Sequence, residues 1–294
     1  MTTTDANSHL DAPDPAAPPA VRSYYEASTA RFLAVGGSGA SLAIHRGLWE
    51  DGVHNAEAAA DRVNARIVAA LARLGRPAPA TLRDLGCGVG GSLLHFAHTW
   101  PAARLEGVTI SPRQAAMGRD FVRARGLEGR VRIACGDFLV DPGSPVDLAV
   151  AVESHVHAPS AAAFLAAARR ALAPGGALVV VDDMLVRPEA ALDADSARLV
   201  ATFRRGWHLG HVPDPAGLAQ AAAGAGLTCV ADEDLTPHLR LTRLRDRALR
   251  AVAPVADAAG LGRWPVFSNM IGGNALTCAY LRGLMRYRLM VFAA

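Results

Sequence analysis

Short apolar runs alternate with longer amphipathic stretches through the middle of the chain. The short runs predict buried strands, and the stretches between them carry apolar residues at helical spacing. The predicted strands are residues 81–85, 103–110, 130–134, 146–152 and 177–182. The predicted helices are residues 90–99, 112–125 and 160–172. Strands that alternate with helices of this length predict an α/β fold with a doubly wound parallel sheet.

Beyond residue 183 the alternation loosens. The pattern predicts helices over residues 192–209, 213–226 and 239–255, then a Gly/Pro/Asn linker, with further strands over residues 227–232 and 284–292. We assign residues 76–294 to one domain whose substrate lid covers about 190–212 and 236–282.

The N-terminal part lies outside this pattern. Residues 1–20 are rich in Thr, Asp, Ala and Pro without an apolar period, so we expect a disordered tail. Residues 21–75 predict helices that are too few to enclose a core, and we expect them to lie across the sheet as a helical cap. The apolar character of this cap also favours a homo-oligomer.

Composition and charge exclude several classes of function. All 30 basic residues are arginine, the net charge is +3 and no long basic run occurs, so we expect no nucleic-acid partner. The four cysteines lack the C-x-x-C spacing of zinc sites, which favours a reducing compartment. No apolar run reaches the roughly 18 residues of a membrane span, and the first residues lack the layout of a signal peptide. We expect a cytoplasmic protein that acts on a small molecule.

Residues 81–92 contain the strongest local signal. The sequence Thr81-Leu-Arg-Asp-Leu-Gly-Cys-Gly-Val-Gly-Gly-Ser92 predicts a strand, a glycine loop and a helix start, where bare backbone and helix amides can face a ligand. Asp84 lies at the strand end, two residues before the first glycine. Its carboxylate would repel a dinucleotide pyrophosphate and attract the sulfonium and amino groups of S-adenosylmethionine. This residue therefore favours S-adenosylmethionine over NAD(P).

Other predicted strands also end in polar residues. Ligands of parallel sheets bind at the carboxyl ends of the strands. The side chains at those ends are Asp84, Thr109, Asp137, Glu153 and Asp182.

With these residues, the sequence resembles the class I S-adenosylmethionine-dependent methyltransferases over roughly residues 55–235. The glycine loop, Gly136-Asp137-Phe138 and Leu172-Ala-Pro-Gly-Gly176 stand where that family has its motifs. The resemblance implies a seven-stranded sheet of order 3-2-1-4-5-7-6 with an antiparallel strand 7. Residues 284–292 are the candidate for that strand.

One departure from the family pattern indicates a branch. Most members end strand 2 with an acidic residue for the ribose, whereas Gly107-Val-Thr-Ile-Ser-Pro-Arg-Gln114 has Thr109 there. This form resembles the cyclopropane synthase, sterol and prenyl-diphosphate C-methyltransferase branch. The resemblance implies that Thr109 and Gln114 contact the cofactor; the alternative is a β-branched strand residue and a solvated glutamine.

The stretch Ala151-Val-Glu-Ser-His-Val-His-Ala-Pro159 resembles the segment after strand 4 in sterol and geranyl diphosphate C-methyltransferases. In those enzymes an alkene attacks the methyl group, and a glutamate faces the carbocation and removes a proton. The resemblance implies this catalytic role for Glu153. Glu153 could instead orient the cofactor or pair with a lid arginine. His155 and His157 are expected to orient or support neighbouring groups, and His157 is the candidate base if a hydroxyl is methylated.

The remaining site predictions follow from the motifs and from the two flanking regions. The residues expected at the cofactor are Tyr24, Asp84, Gly86, Cys87, Gly88, Gly90, Thr109, Ile110, Gln114, Gly136, Asp137, Phe138 and Val152. The residues expected at the substrate are His45, Arg46, Trp49, Phe203, Arg204, Trp207, His208 and Arg240. Aromatic rings suit a carbocation, and arginines could clamp a diphosphate. A diphosphate would call for Mg²⁺, although no carboxylate motif fixes a metal site.

These observations predict an S-adenosylmethionine-dependent C-methyltransferase of a small apolar, isoprenoid substrate such as a prenyl diphosphate, in specialised metabolism. One alternative is O- or N-methylation of a natural product with a histidine base. Another is a protein that binds S-adenosylmethionine without transferring its methyl group, or that uses it to shape a cyclisation. An NAD(P) oxidoreductase conflicts with Asp84 and with Thr109.

Overall fold

The structure is a computed structural model that describes residues 42, 45–242 and 244–294, without the side chains of residues 244–248 and 265. The expected tail over residues 1–20, most of the expected cap and Tyr24 lie outside the described residues. The domain boundaries therefore stay predictions.

Seven strands form one sheet in the order β3-β2-β1-β4-β5-β7-β6. The strands are β1 Thr81–Leu85, β2 Arg104–Thr109, β3 Val131–Cys135, β4 Val146–Val152, β5 Leu172–Leu185, β6 Thr228–Asp234 and β7 Met285–Ala293. The first five strands are parallel, whereas β7 pairs antiparallel with both β5 and β6. The predicted sheet, strand order and closing strand are confirmed.

Eight α-helices accompany the sheet among the described residues. They are α1 Ala56–Arg73, α2 Gly91–Thr99, α3 Pro112–Ala124, α4 Ala161–Ala171, α5 Ala194–Trp207, α6 Pro215–Gly224, α7 Leu244–Ala258 and α8 Pro265–Leu281. Capping residues mark the starts of three of these helices. The side chains of Asn55, Ser111 and Ser160 each accept a hydrogen bond from a backbone amide as N-cap. Pro112 occupies the first turn of α3, as the sequence predicts.

Two buried clusters cover the two faces of the sheet. One cluster joins the sheet to α1, α2 and α3 through residues such as Ile67, Phe96 and Val122. The other cluster joins it to α4 and α6 through residues such as Phe164 and Leu218. Burial on both faces explains why the central strands are almost continuously apolar in sequence.

The region after residue 239 differs most from its prediction. The expected linker is wrong, because residues 265–281 form the helix α8, and α7 begins at Leu244 rather than at 239. Gly272, which lies in the wrongly predicted linker, packs against α5, because a Cβ atom on Gly206 would lie 2.5 Å from the Cα of Gly272. These glycines thus let α5 and α8 pack backbone to backbone, although glycine in sequence is typical of loops.

Strand β5 is longer than predicted at both ends. Leu172 already pairs with Val146, so residues 174–176 form an irregularity within the strand rather than a turn before it. At the other end β5 continues to Leu185 because β7 still pairs with it after β4 has ended. No helix in the described part of the chain is long and apolar enough to cross a membrane.

Candidate active site

A cavity opens at the carboxyl ends of β1, β2 and β4. The glycine loop and the strand ends beside it contribute Asp84, Gly86, Cys87, Gly88, Gly91, Ser92, Thr109, Ile110, Gln114, Phe138 and Val152. The rest of the lining consists of Leu42, His45, Glu153, Ser154, Val156, His157, Asp182, Asp183, Phe203, Trp207 and Leu209. The cavity thus brings together the end of β4, the helix α5 and the glycine loop.

The glycine loop lies in a conformation that side chains disfavour. Gly86 and Gly90 have φ of +95° and +87°, and a Cβ atom on Gly86 would lie 2.6 Å from that of Ser154. The amides of Gly86 and Cys87 both donate to the carbonyl of Val108, at 2.9 and 3.0 Å. The loop therefore leaves bare backbone at the start of α2, where a cofactor can lie against it.

Asp84 places a buried carboxylate beneath this loop. Its side chain is 3% exposed, and burial raises its pKa to about 7. No hydrogen bond or ion pair joins its carboxylate to another of the described residues. A ligand with a sulfonium or ammonium group would supply the missing positive charge, so the donor set fits S-adenosylmethionine.

Thr109 and Gln114 bond to each other at the cavity edge. The Thr109 hydroxyl donates to Gln114 Oε1 at 2.7 Å, and both residues are buried. Gly90, Gly136 and Asp137 do not line the cavity, and the Asp137 carboxylate accepts the amide of Leu139 at 2.9 Å. The roles of these residues toward a cofactor stay predictions.

Glu153 reaches the cavity through an uncommon backbone conformation. It directly follows β4 with a φ of +49°, and its amide donates to the carbonyl of Val181 at 2.8 Å. A positive φ at a non-glycine residue costs on the order of 1 kcal/mol or more and is concentrated at functional sites. Glu153 Oε1 accepts the amide of Arg46 at 2.8 Å and the hydroxyl of Tyr287 at 2.9 Å.

A second carboxylate, Asp183, shares the same environment. It accepts Nη2 of Arg46 at 3.1 Å and the hydroxyl of Tyr280. Burial raises the pKa of Glu153, while Arg46 opposes this rise and the negative charge of Asp183 adds to it. The two carboxylates and Arg46 therefore form one coupled group beside the cavity.

Two histidines follow Glu153 in the sequence. His155 Nδ1 lies 2.8 Å from Asp182 Oδ2, and burial lowers the pKa of His155 to about 3 and raises the pKa of Asp182. His157 lines the cavity, and burial lowers its pKa to about 4. An imidazole that is neutral at pH 7 can accept a proton.

Only some of the residues that were expected to bind the substrate line the cavity. His45, Phe203 and Trp207 line the cavity. Trp49 instead stacks under Arg240, with 3.6 Å between the guanidinium carbon and the ring centroid.

The arginines that were expected to bind a diphosphate do not line the cavity. Arg204 binds Glu189 and the carbonyl of Gly210, and His208 ends α5 with a φ of +54°. Arg46 faces Asp183 and Glu153. Among the described residues, four carboxylates and no arginine line the cavity, and no group of three or more side chains could hold a metal ion.

Sequence reasoning missed Asp183, Tyr280 and Tyr287 in the group around Glu153, and Ser92 and Ser154 in the cavity lining. Asp183 follows a strand-end aspartate that was recognised, so the adjacent acidic pair was an available signal. Tyr287 lies opposite Asp183 only through the register of β5 and β7. No local pattern marks that position.

Comparison with known proteins shows to which family this chain belongs. A family model described as a methyltransferase domain matches residues 83–176. The chain is 31% identical over 207 residues to trans-aconitate 2-methyltransferase of Streptomyces avermitilis, covering 67% of this chain and 72% of that protein. The chain belongs to the class I S-adenosylmethionine-dependent methyltransferases.

Other methyltransferases match over different lengths. Identity to 27-O-demethylrifamycin SV methyltransferase of Amycolatopsis mediterranei is 28%, over 77% of this chain and 85% of that protein. Identity to a probable tocopherol O-methyltransferase of rice is also 28%, over 55% of this chain. In that case the methyltransferase described here spans 46% of the relative's length.

Solved structures share the fold over nearly the whole chain. The cyclopropane synthase MmaA2 of Mycobacterium tuberculosis superposes with a TM-score of 0.73 at 19% identity, covering 96% of this chain and 100% of that one. Geranyl diphosphate C-methyltransferase of Streptomyces coelicolor superposes with a TM-score of 0.68 at 21% identity, covering 96% and 99%. At these identities the likeness concerns the fold alone.

Proposed function

We propose that this methyltransferase transfers the methyl group of S-adenosylmethionine to an unsaturated carbon of a small apolar acceptor. The observation that carries the proposal is the Glu153 carboxylate, which a positive φ directs to the cavity and which Tyr287 and the Arg46 amide hold in place. In the proposed reaction the alkene carbon attacks the methyl carbon and the methyl–sulfur bond breaks. S-adenosylhomocysteine leaves, and the neighbouring carbon becomes a cation.

The carboxylate then has a defined task. It stabilises the cation by its charge and accepts a proton from the adjacent carbon, which restores a double bond. Phe203 and Trp207 line the same cavity, and their aromatic rings can also stabilise a cation. An alkene needs no base before its attack, so one carboxylate in this position suffices.

The lining favours an acceptor without a diphosphate. No arginine among the described residues lines the cavity to bind phosphate groups, and Arg46 already faces Asp183 and Glu153. We therefore propose an uncharged isoprenoid or similar hydrocarbon acceptor. A requirement for Mg²⁺ stays a prediction that applies only to a diphosphate substrate.

The second candidate function is O- or N-methylation. The neutral imidazole of His157 at the cavity could accept the proton of a hydroxyl or ammonium group. The names of two relatives, which act on tocopherol and on a demethylrifamycin, also support a hydroxyl acceptor.

An acceptor panel separates the candidates. The protein is incubated with S-adenosylmethionine and with prenyl alcohols, prenyl diphosphates plus Mg²⁺, phenols and amines, and S-adenosylhomocysteine release and product structure are measured. We expect a new carbon–carbon bond on an uncharged prenyl acceptor. Products methylated only on oxygen or nitrogen would contradict the first proposal and support the second. Cofactor binding without any transfer would contradict both.

The role of Glu153 has its own test. Glu153→Gln keeps the size of the side chain but cannot accept a proton, so we expect kcat to fall by about 100-fold or more, with unchanged affinity for S-adenosylmethionine. Glu233→Gln is the matched control, because Glu233 binds Arg66 and Arg73 on the opposite side of β7 from the cavity. Full turnover in the Glu153 variant would exclude its catalytic role.

A further inference from the structure

Arg46 contacts both carboxylates of the group beside the cavity. Its Nη2 donates to Asp183 Oδ2 at 3.1 Å, and its Nε lies 4.0 Å from Glu153 Oε1. Its backbone amide donates to the same oxygen of Glu153 at 2.8 Å. The guanidinium also lies over the ring of Tyr280, 5.4 Å from the ring centroid. Arg46 therefore binds Asp183 with its side chain and Glu153 with its backbone.

The backbone around Arg46 is fixed by the residues that follow it. Leu48 is fully buried, and its amide donates to a carbonyl of α1 at 2.8 Å. The amide of Trp49 donates to the carbonyl of His238 at 2.7 Å, and Arg240 stacks on the Trp49 ring. Trp49 and Arg240, which were expected at the substrate, thus hold the segment that carries Arg46.

Charged and titratable groups from several elements face Glu153. They come from the segment before α1, from β5, from α8 and from β7, and they are His45, Arg46, Asp183, Tyr280 and Tyr287. The tyrosine hydroxyls donate hydrogen bonds, whereas the guanidinium of Arg46 supplies a full positive charge against two carboxylates. Without that charge, the negative charge of Asp183 would favour a proton on Glu153.

We propose that Arg46 is a positioning residue that keeps Glu153 ionised, and so ready to accept a proton, while Asp183 lies beside it. A protonated Glu153 could neither stabilise a cation by its charge nor take up a proton. Arg46 acts through Glu153, because it is not among the described residues that line the cavity. The inference rests on the proposed catalytic role of Glu153.

Carbon-13 NMR of the labelled Glu153 carboxyl tests the inference in the full chain without an acceptor. The resonance is assigned by its absence from Glu153→Gln. Arg46→Gln and Arg46→Met both remove the positive charge, although glutamine can still donate to Asp183. In both variants we expect the midpoint of the Glu153 titration to move to higher pH by about one unit or more. Arg46→Lys keeps the charge and should move the midpoint by less than half as much.

Arg66→Met is the matched control. Arg66 also bridges two carboxylates, those of Glu50 and Glu233, and its side chain is 26% exposed against 22% for Arg46. This control should leave the Glu153 titration unchanged. Melting curves identify the folded variants, and either neutral variant of Arg46 suffices for the test. An unchanged midpoint in a folded neutral variant, or an equal shift in Arg46→Lys, would overturn the inference.

The pH profile of turnover separates this role from a purely structural one. With an acceptor from the panel, kcat of Arg46→Gln should fall by about tenfold for each pH unit below the displaced midpoint and recover above it, with unchanged KM. A loss of kcat that is equal at every pH would overturn the inference. Absence of carbon methylation would instead contradict the proposed function, whereas the NMR titration would still decide whether Arg46 keeps Glu153 ionised.

Discussion

Asp84 is a buried carboxylate whose protonation must change when a cationic cofactor arrives. Its pKa of about 7 comes from burial, so the empty site holds a mixture of charged and neutral forms near neutral pH. A bound sulfonium would favour the charged form. The affinity for the cofactor is thereby linked to pH.

We therefore expect the Kd of S-adenosylmethionine to rise by about tenfold for each pH unit below 7 and to level off above it. Below pH 7 the site carries a proton that the cation must displace. Isothermal titration calorimetry at pH 5 to 8 measures this. Asp84→Asn should bind more weakly at pH 8 and lose the dependence, whereas the neutral fragment adenosine serves as the control ligand. A flat profile for the parent would contradict the prediction.

Tyr287 affects the protonation equilibrium of Glu153. Its hydroxyl donates to Glu153 Oε1 at 2.9 Å, which stabilises the ionised carboxylate. Tyr287→Phe should therefore raise the pKa of Glu153 and move its titration to higher pH. Carbon-13 NMR of the labelled glutamate carboxyl measures this without an acceptor.

Tyr280→Phe is the comparison variant for that titration. Tyr280 donates to Asp183 rather than to Glu153, so its removal should not raise the pKa of Glu153. An equal upward movement in both variants would indicate general loosening of the site and would count against a specific role for Tyr287.

The helices α5 and α8 form a unit in which backbone contact replaces side-chain packing. A Cβ atom on Gly206 would meet backbone atoms of Gly272 at 2.5 Å, and Ser268 donates its hydroxyl to the carbonyl of Gly206 at 3.3 Å. Because α5 also carries Phe203 and Trp207, the shape of the cavity depends on this contact.

We expect Gly206→Ala to lower the free energy of unfolding by about 1–3 kcal/mol, because the methyl group forces two backbones apart. Gly224→Ala is the matched control, since nothing lies within 4 Å of its added Cβ atom at the end of α6. The control should be neutral or slightly stabilising. Urea denaturation of both variants gives the comparison, and equal stability of the two would refute close packing at Gly206.

Across the molecule, buried histidines and buried carboxylates have opposite effects on how stability changes with pH. Burial lowers the pKa of His155 to about 3 and those of His157 and His211 to about 4. In the unfolded chain these histidines take up protons near pH 6.5, so each contributes stability above that pH and loses it as the pH falls toward 4. Asp84 and Glu153, whose pKa values are raised, act in the opposite direction.

A variant isolates the histidine contribution. As the pH falls from 6.5 to about 4, we expect the melting temperature of the parent to fall by more than that of His211→Asn. The imidazole of His211 resists protonation in the folded state, whereas asparagine does not titrate. Calorimetric scans of both proteins over this range measure it. A constant difference would mean that His211 titrates normally in the folded protein.

The sequence by itself determined the sheet, its strand order through the family resemblance, and the cluster of polar residues at the strand ends. The strands and their polar ends could be predicted locally, because hydrophobic period, capping residues and glycine turns act over a few neighbours. The strand-end rule then placed Asp84, Thr109 and Glu153 at one cavity.

Only the tertiary structure decided what surrounds Glu153 and how α5 and α8 pack together. Arg46, Asp183 and Tyr287 come from the region before α1, from β5 and from β7, and they meet through sheet register and desolvation, which no local pattern encodes. The same is true of Gly206 and Gly272. Their role as a helix contact depends on a partner more than sixty residues away in sequence. Local propensity predicted a linker around Gly272, although it placed Gly206 within a helix.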